Sequence, residues 1–180
     1  MEFERTELEG CYIITPRKFE DERGYFFESF NQKQFEEKTN QLINFVQDNV
    51  SKSIYGVLRG LHFQKGEHAQ AKLVSVSQGK VLDVAVDLRK NSKTYGNHVQ
   101  VILSEENNKQ FFVPRGFAHG FIVLSEEAIF RYKCDNFYNK KAERGLNYDK
   151  LGIDWMVDKK DIIINSRDND FLYLENYIAD

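Results

Sequence analysis

Hydrophobic and polar residues alternate through the centre of the chain. Valines alternate with serines from Lys72 to Ser77, and apolar residues recur at every second position from Leu82 to Leu88. A period of two residues is typical of β-strands, because successive side chains point to opposite faces of a sheet. With Gln78-Gly79 as a turn between them, the two runs predict a β-hairpin.

Further strands are predicted at Val99–Leu103 and at Phe111–Val113, where Pro114 ends the run. Residues 120–124 and 128–134 predict a second hairpin around a Ser-Glu-Glu turn. Helical signals are sparse. Asn31 is suited to cap a short helix running through Phe35 to Lys38, and the segment after Leu151 has room for a turn or two.

Many short strands separated by turns predict a β-sandwich or barrel, and we expect a jelly roll with a few short helices. The chain contains no internal repeat, low-complexity segment or linker. Its 180 residues fit one domain with a sizeable core, so we expect a single domain over residues 1–180.

Composition narrows the possible partners and the compartment. A net charge of −3 gives no reason to expect nucleic acid or a membrane surface as a partner. No apolar stretch approaches the roughly 20 residues that span a bilayer, and the N-terminal residues lack a signal-peptide pattern. Cys11 and Cys134 could pair, but two buried free thiols are the favoured interpretation. We therefore expect a cytoplasmic protein.

Two glycine-punctuated segments carry the candidate chemistry. Residues 56–64 contain Arg59 and His62, and residues 113–121 contain His119. Histidine exchanges protons near neutral pH, so two of the four histidines in such settings indicate a site. Arg59 and His62 would face opposite sides of a regular strand. Either a bulge near Gly60 realigns them, or Arg59 precedes the strand.

Tyr132 shares its strand face with Phe130 and Cys134. That parity is compatible with a core tyrosine whose hydroxyl bonds to backbone. It is equally compatible with a polar group at the mouth of a barrel, where binding sites form.

A metal site is a weaker possibility. Pro114-x-Gly116-x-x-His119 resembles the second motif of the metal-binding cupins, but their first motif carries His-x-His, and here Gln64 takes the second position. His68 lies in a polar loop, and Lys72 is a poor neighbour for a divalent cation. No metal ligand set is therefore predicted.

The chain from about Gly10 to Asp168 resembles the dTDP-4-dehydrorhamnose 3,5-epimerase family. The matching segments are the two histidine segments together with Asp21–Phe30, Val46–Ser51, Gln70–Val74, Tyr132–Tyr138, Glu143–Leu146 and Ile153–Trp155. Their order and spacing agree over nearly the whole chain. The resemblance implies a cupin-like jelly roll, a homodimer that shares nucleotide binding across its interface, no metal or cofactor, and a dTDP-linked 4-ketosugar substrate.

The resemblance also implies residue roles. His62 matches the general base and Tyr132 the opposing acid. Lys72 and Arg59 match cations near the C4 oxygen and the diphosphate, and His119 matches a further sugar-site residue. The remaining matches are with nucleotide or substrate contacts: Arg23, Glu28, Gln47, Asn49, Tyr138 (which stacks on thymine) and Glu143.

The C-terminal part departs from the family pattern. The family usually reads Ser-x-Lys-Asp, whereas residues 165–168 read Asn-Ser-Arg-Asp. Arg167 then replaces the lysine as a substrate contact, and Asp168 keeps the acid that orients His62. Asp170 is near enough in sequence to be an alternative partner.

These residue types suit enolate chemistry. A C4 ketone acidifies hydrogens on C3 and C5, a neutral histidine can remove them, and a positioned acid can return one to the other face. A lysine ammonium stabilises the negative charge on the C4 oxygen. The expected function is 3,5-epimerisation in dTDP-L-rhamnose biosynthesis. The alternatives are a single-carbon epimerase on a related nucleotide-linked sugar, a non-catalytic sugar-binding domain and a metal cupin.

Overall fold

The computed structural model describes residues 1–177 and is built almost entirely from short strands. The strands in this part are β1 (Glu2–Arg5), β2 (Tyr12–Thr15), β3 (Lys18–Asp21), β4 (Gly24–Phe27), β5 (Gln47–Ile54), β6 (Leu58–Gln64), β7 (Lys72–Gln78), β8 (Lys80–Asp87), β9 (His98–Ser104), β10 (Gln110–Val113), β11 (Phe117–Val123), β12 (Glu127–Cys134) and β13 (Glu143–Gly145). The helices are α1 (Gln32–Thr39) and α2 (Ser166–Asn169), with 3₁₀ turns at Gly66–His68, Lys159–Asp161 and Leu174–Asn176. The last three residues of the predicted domain, 178–180, lie outside the described part.

Two antiparallel sheets face each other. The larger has the order β1-β2-β10-β7-β12-β5, and the smaller has the order β13-β6-β11-β8-β9. Strands β3 and β4 form a separate two-stranded arm. Two facing antiparallel sheets whose strands are joined by connections from one sheet to the other form a cupin-like jelly roll. The predicted all-β fold class is therefore confirmed.

Both predicted hairpins are wrong, although their strands are present. β7 pairs with β10 and β12, whereas β8 pairs with β9 and β11 in the other sheet. The next predicted hairpin divides in the same way, because β11 and β12 belong to different sheets. The turn at Gly79 crosses from one sheet to the other. Its φ is +78°, and a Cβ there would overlap the carbonyl oxygen of Glu127, so glycine is required.

The space between the sheets is filled by large apolar side chains. Phe111, Phe121 and Phe130 are almost fully buried there, and the rings of Phe121 and Phe130 stack with centroids 3.9 Å apart. A second cluster, which includes Trp155, lies between the outer face of the smaller sheet and the chain after β13. The smaller sheet is therefore covered on both faces. Its packing against the second cluster holds the C-terminal segment near the mouth of the barrel.

Helix α1 and the two cysteines follow the sequence prediction. The Asn31 side chain accepts a hydrogen bond from the backbone N–H of Gln34, and Phe35 is buried beneath the helix. Cys11 and Cys134 are both buried and free. Burial raises the pKa of the Cys11 thiol, and it raises the pKa of Cys134 to about 11. Among residues 1–177, no helix has the length and apolarity needed to cross a membrane.

A β-bulge in β6 answers the question of how Arg59 and His62 are placed. His62 pairs with His119 and Arg59 with Phe121, so Gly60 and Leu61 together face one residue of β11. An extra residue in one strand changes which face the following side chains occupy. Arg59 thus lies within β6, and the bulge near Gly60 is the correct alternative.

Candidate active site

A cavity of about 220 Å³ opens where the two sheets meet. Its walls come from both sheets and from the loop between β12 and β13. The lining residues are Gln47, Asn49, His62, Phe63, Gln64, Gln70, Lys72, Tyr132, Cys134, Tyr138 and Glu143. Seven of the predicted site residues are in this set: Gln47, Asn49, His62, Lys72, Tyr132, Tyr138 and Glu143. Strands far apart in sequence thus bring the candidate base and acid to one cavity.

The imidazole of His62 is held by a fully buried carboxylate. His62 Nε2 lies 2.9 Å from Asp168 Oδ1, and the Asp168 side chain has no exposed surface. The backbone N–H of Gly60 donates to the other carboxylate oxygen at 3.3 Å. Asp170 is exposed at the end of α2, so the structure selects Asp168 as the partner of His62.

The environment of Asp168 favours its ionised form. Burial raises the pKa of this carboxyl, but the hydrogen bond and charge interaction with His62, the Gly60 N–H and Arg167 together lower it below its ordinary value. A carboxylate only accepts hydrogen bonds. His62 Nε2 must therefore carry a proton to make this contact, and in the neutral ring the lone pair is then on Nδ1. Among residues 1–177, Nδ1 has no hydrogen-bond partner.

Arg167 joins the His62–Asp168 pair to the rim of the cavity. Its Nε and Nη2 each lie 3.2 Å from Asp168 Oδ1, and Nη1 donates to Glu143 Oε2 at 2.7 Å. The hydroxyl of Tyr138 donates to the same glutamate oxygen at 2.9 Å. A continuous set of polar contacts therefore runs from the exposed Tyr138 to the buried Asp168.

Tyr132 faces His62 from the larger sheet. Its ring packs against Phe130, with centroids 6.0 Å apart, which fits the predicted shared strand face. Its hydroxyl makes no hydrogen bond to residues 1–177, so the backbone-tied alternative is wrong. Burial, followed by the charge effect of Cys134, raises the pKa of the phenol despite the opposing effect of Arg59. The group is thus held in its protonated form.

Lys72 places an amine beside the base. Its Nζ lies 3.5 Å from the carbonyl oxygen of His62. Burial lowers the pKa of this amine, while nearby Cys134, Asp83 and Glu143 partly oppose the shift. Few hydrogen bonds hold the Lys72 ammonium, so it is able to donate to an oxygen that enters the cavity.

His119 is packed behind the cavity rather than lining it. It is 5 % exposed, and its Nε2 lies 2.9 Å from Asp83 Oδ1 in the space between the sheets. Burial lowers the pKa of His119 and raises that of Asp83, so both groups are shifted towards their neutral forms. His119 therefore lies behind the wall that carries His62, and its predicted place in the sugar site stays a prediction.

The predicted diphosphate and nucleotide residues are dispersed. The exposed Arg59 donates to Ser53 Oγ at 3.0 Å and is not part of the cavity wall. Arg23 lies on the β3–β4 arm and pairs with Asp21, and Glu28 follows that arm. Gln47 and Asn49, by contrast, lie at the wall and are hydrogen-bonded to each other at 3.1 Å. Some of the predicted nucleotide-binding residues, Arg23 and Glu28 among them, therefore lie away from the cavity of their own chain.

Sequence reasoning missed several residues that build the site. Gln64, Gln70 and Cys134 line the cavity, and Phe171 packs edge-on against His62, with ring centroids 5.7 Å apart. A Cβ on Gly145 would overlap the Phe171 ring, so this contact depends on glycine. The one available signal was Asp83, a carboxylate between apolar neighbours in β8, and it contacts His119.

Within residues 1–177, no group of three His, Cys, Asp or Glu side chains is arranged to hold a metal ion. The environment of His62 instead includes the amine of Lys72 and the guanidinium of Arg167. Both groups are basic, and a divalent cation would be repelled by their positive charges.

Comparisons with known proteins agree with this geometry. A relative from Methanothermobacter thermautotrophicus, described as dTDP-4-dehydrorhamnose 3,5-epimerase, is 51 % identical over 94 % of this chain and 92 % of its own. The crystal structure of the Elizabethkingia anophelis enzyme of that description has a TM-score of 0.94 and 57 % identity, covering 98 % of this chain and 97 % of its own. A Legionella pneumophila 3,5-epimerase solved with dTDP-4-keto-L-rhamnose has a TM-score of 0.94 and 45 % identity, with coverages of 99 % and 95 %. The family model for dTDP-4-dehydrorhamnose 3,5-epimerase matches residues 5–176, and the chain belongs to this family.

Proposed function

We propose that this protein is an isomerase that inverts C3 and C5 of dTDP-4-dehydro-6-deoxy-D-glucose, giving dTDP-4-dehydro-L-rhamnose in dTDP-L-rhamnose biosynthesis. The observation that carries this proposal is the His62–Asp168 pair, which shares one cavity with Tyr132 and Lys72. Family membership supports the same reaction.

His62 is the proposed base for both carbons. Asp168 fixes the proton on Nε2, so Nδ1 is the nitrogen with a free lone pair. A neutral imidazole can remove the hydrogen next to the C4 ketone, and the buried carboxylate then stabilises the imidazolium that forms.

Tyr132 is the proposed acid on the other face of the sugar. It comes from the larger sheet, whereas His62 comes from the smaller one, so the two can approach a bound ring from different sides. Its raised pKa keeps the phenol protonated until the enolate forms. Proton removal at one face and return at the other inverts the carbon.

Lys72 is the proposed stabiliser of the enolate. Negative charge moves to the C4 oxygen as the proton leaves, and an ammonium at that oxygen stabilises the enolate more than the ketone. The cavity wall that holds Lys72 also holds His62, so one amine can serve both steps. We propose that the reaction needs no metal or other cofactor, because base, acid and charge stabilisation are all supplied by side chains. Activity should therefore survive chelation.

We infer that the nucleotide is bound by a homodimer. Gln47, Asn49, Tyr138 and Glu143 lie at the cavity, whereas Arg23 and Glu28 belong to the β3–β4 arm and its end. The arm exposes Phe19, Tyr25 and Phe26 by 51 %, 58 % and 69 %. Apolar side chains so exposed favour burial against another surface. A second copy would cover them and bring Arg23 and Glu28 to the dTDP group, where Arg59, Arg167 and His119 would complete the wider substrate site.

A cytoplasmic location fits the two free thiols.

Conversion of dTDP-4-dehydro-6-deoxy-D-glucose, followed by NMR, tests the proposed reaction. The wild-type protein should form a product inverted at C3 and C5, and the His62→Ala variant should lose about 10²–10⁴-fold in rate while still binding dTDP. A product inverted at one carbon would support the single-carbon alternative. Binding without turnover by the wild-type protein would favour a sugar-binding domain.

A further inference from the structure

The guanidinium of Arg167 occupies an unusual position in the His62–Asp168 pair. It donates twice to Asp168 Oδ1, the same oxygen that His62 Nε2 contacts, and its Nη2 lies 3.4 Å from that imidazole nitrogen. A guanidinium has no acceptor atom, so it cannot share a hydrogen bond with an Nε2 that already carries a proton. Its role beside His62 is therefore one of charge.

We propose, on the basis of the proposed function, that Arg167 is a positioning residue. It balances the charge of Asp168 and thereby keeps His62 neutral and ready to accept a proton. Asp168 has a fully buried side chain and carries a negative charge that must be compensated. Arg167 compensates part of it. Without Arg167, protonation of His62 is the nearest remaining way to balance the carboxylate, and a protonated imidazole is not a base.

Glu143 holds the guanidinium in this position. The contact between Arg167 Nη1 and Glu143 Oε2 is 2.7 Å long, and 17 % of the Glu143 side chain is exposed. Glu143 in turn accepts from Tyr138, a residue at the rim. The rim of the cavity and the base are thus connected through one arginine, which also lies over the Phe171 ring at 6.0 Å.

Four other titratable side chains surround the pair and are still present when Arg167 is replaced. His119 on β11 and Glu143 on β13 lie on the two strands that flank β6, whereas Lys72 on β7 and Tyr132 on β12 belong to the larger sheet. Lys72 favours a neutral imidazole, as Arg167 does, and Glu143 opposes it. A change on replacing Arg167 alone therefore reports the loss of this cation together with the release of Glu143 from its ion pair, and both effects favour the protonated imidazole.

Arg167→Met should move the acidic limb of the kcat/KM profile to higher pH. The guanidinium carries the same charge as a protonated imidazole and disfavours it, and a charge within about 4–6 Å can change a titration by about 1–3 pH units. Because 54 % of the Arg167 side chain is exposed, we expect about one unit, decreasing at high salt. Arg167→Lys should restore much of the profile, and Asp168→Asn should move the limb in the opposite direction.

Arg144→Met is the matched control. Arg144 is an exposed arginine that follows Glu143 in β13, and it donates to the backbone carbonyls of Lys141 and Glu143. Its replacement should leave the limb in place. An equal displacement in this variant, or no displacement in Arg167→Met at low salt, would overturn the proposal.

An NMR titration of the ring of His62 in the free protein separates this proposal from the proposed function. It needs no substrate, and the His62→Ala spectrum assigns the signal among the four histidines. One outcome is that the wild-type protein fails to epimerise the sugar while the His62 ring still titrates about one pH unit higher in Arg167→Met. That result would support the role of Arg167 in charge balance and refute the proposed function. A ring that titrates equally in both proteins removes the role of Arg167, whatever the activity.

Discussion

Replacing Asp168 with asparagine removes one negative charge from a fully buried position and keeps nearly the same side-chain shape. Asp168 contacts His62 at 2.9 Å, the Gly60 N–H at 3.3 Å and Arg167 at 3.2 Å. A hydrogen bond to a charged group is worth about 1.5–3 kcal/mol, so the imidazolium contact alone corresponds to roughly 10- to 150-fold in rate. The asparagine amide can also stabilise the wrong tautomer of His62. That effect has reached about 10⁴-fold where a histidine base loses its aspartate partner.

We therefore expect kcat to fall by about 10²–10⁴-fold in Asp168→Asn, and the acidic limb of the kcat/KM profile to move to lower pH. The direction follows because a carboxylate stabilises the protonated imidazole and an amide does not. Initial rates measured across the pH range by NMR or a coupled assay give both quantities.

Asp170→Asn is the matched control, because Asp170 lies two residues away and is exposed. Its kcat and profile should equal those of the wild type. Equal losses in the two variants, or an Asp168→Asn enzyme with unchanged kcat and profile, would refute the assignment of Asp168 as the partner of His62.

Three further perturbations test other parts of the structure. Tyr132→Phe should slow inversion more than deuterium exchange, because the phenol returns the proton that His62 removes; equal slowing of both would contradict this division. Gly145→Ala should lower kcat about tenfold by displacing Phe171 from His62, and the added change Phe171→Ala should recover part of the loss, whereas no recovery would show that the clash lies elsewhere. Burial alone would raise the pKa of Asp87, but bonds from Arg89, Ser92 and Thr94 lower it to about 2. Ionised Asp87 should thus stabilise the folded state by about 2 kcal/mol, and this contribution should be complete above about pH 4 and lost as pH falls towards 2. Acid unfolding of Asp87→Asn should show a smaller loss of stability over that interval, and an identical pH dependence would remove this role.

The sequence predicted the strands better than their partners. Alternation located β7 and β8 because it depends only on which side chains face the core. It could not show that the turn at Gly79 crosses between sheets, since a short turn between two strands has the same pattern in a hairpin and in a crossover. The helix after Asn31 was predictable because its cap is local.

The site was predictable where family resemblance supplied residue roles, and less so where long-range packing decides geometry. The bulge in β6 sets which way His62 faces, but the sequence alone allowed two arrangements. The burial of His119 against Asp83 depends on the pairing of β11 with β8, which no local pattern encodes. Phe171 comes from a segment more than 100 residues after His62, so its contact appears only in the folded chain.

Deuterium incorporation from heavy water is the measurement that tests the central claim most directly. If His62 and Tyr132 act at both carbons, dTDP-4-dehydro-6-deoxy-D-glucose incubated with the protein should gain deuterium at C3 and C5, and the His62→Ala variant should introduce almost none. Label at only one carbon would contradict double epimerisation. Unchanged labelling in the His62→Ala variant would contradict the assignment of the base.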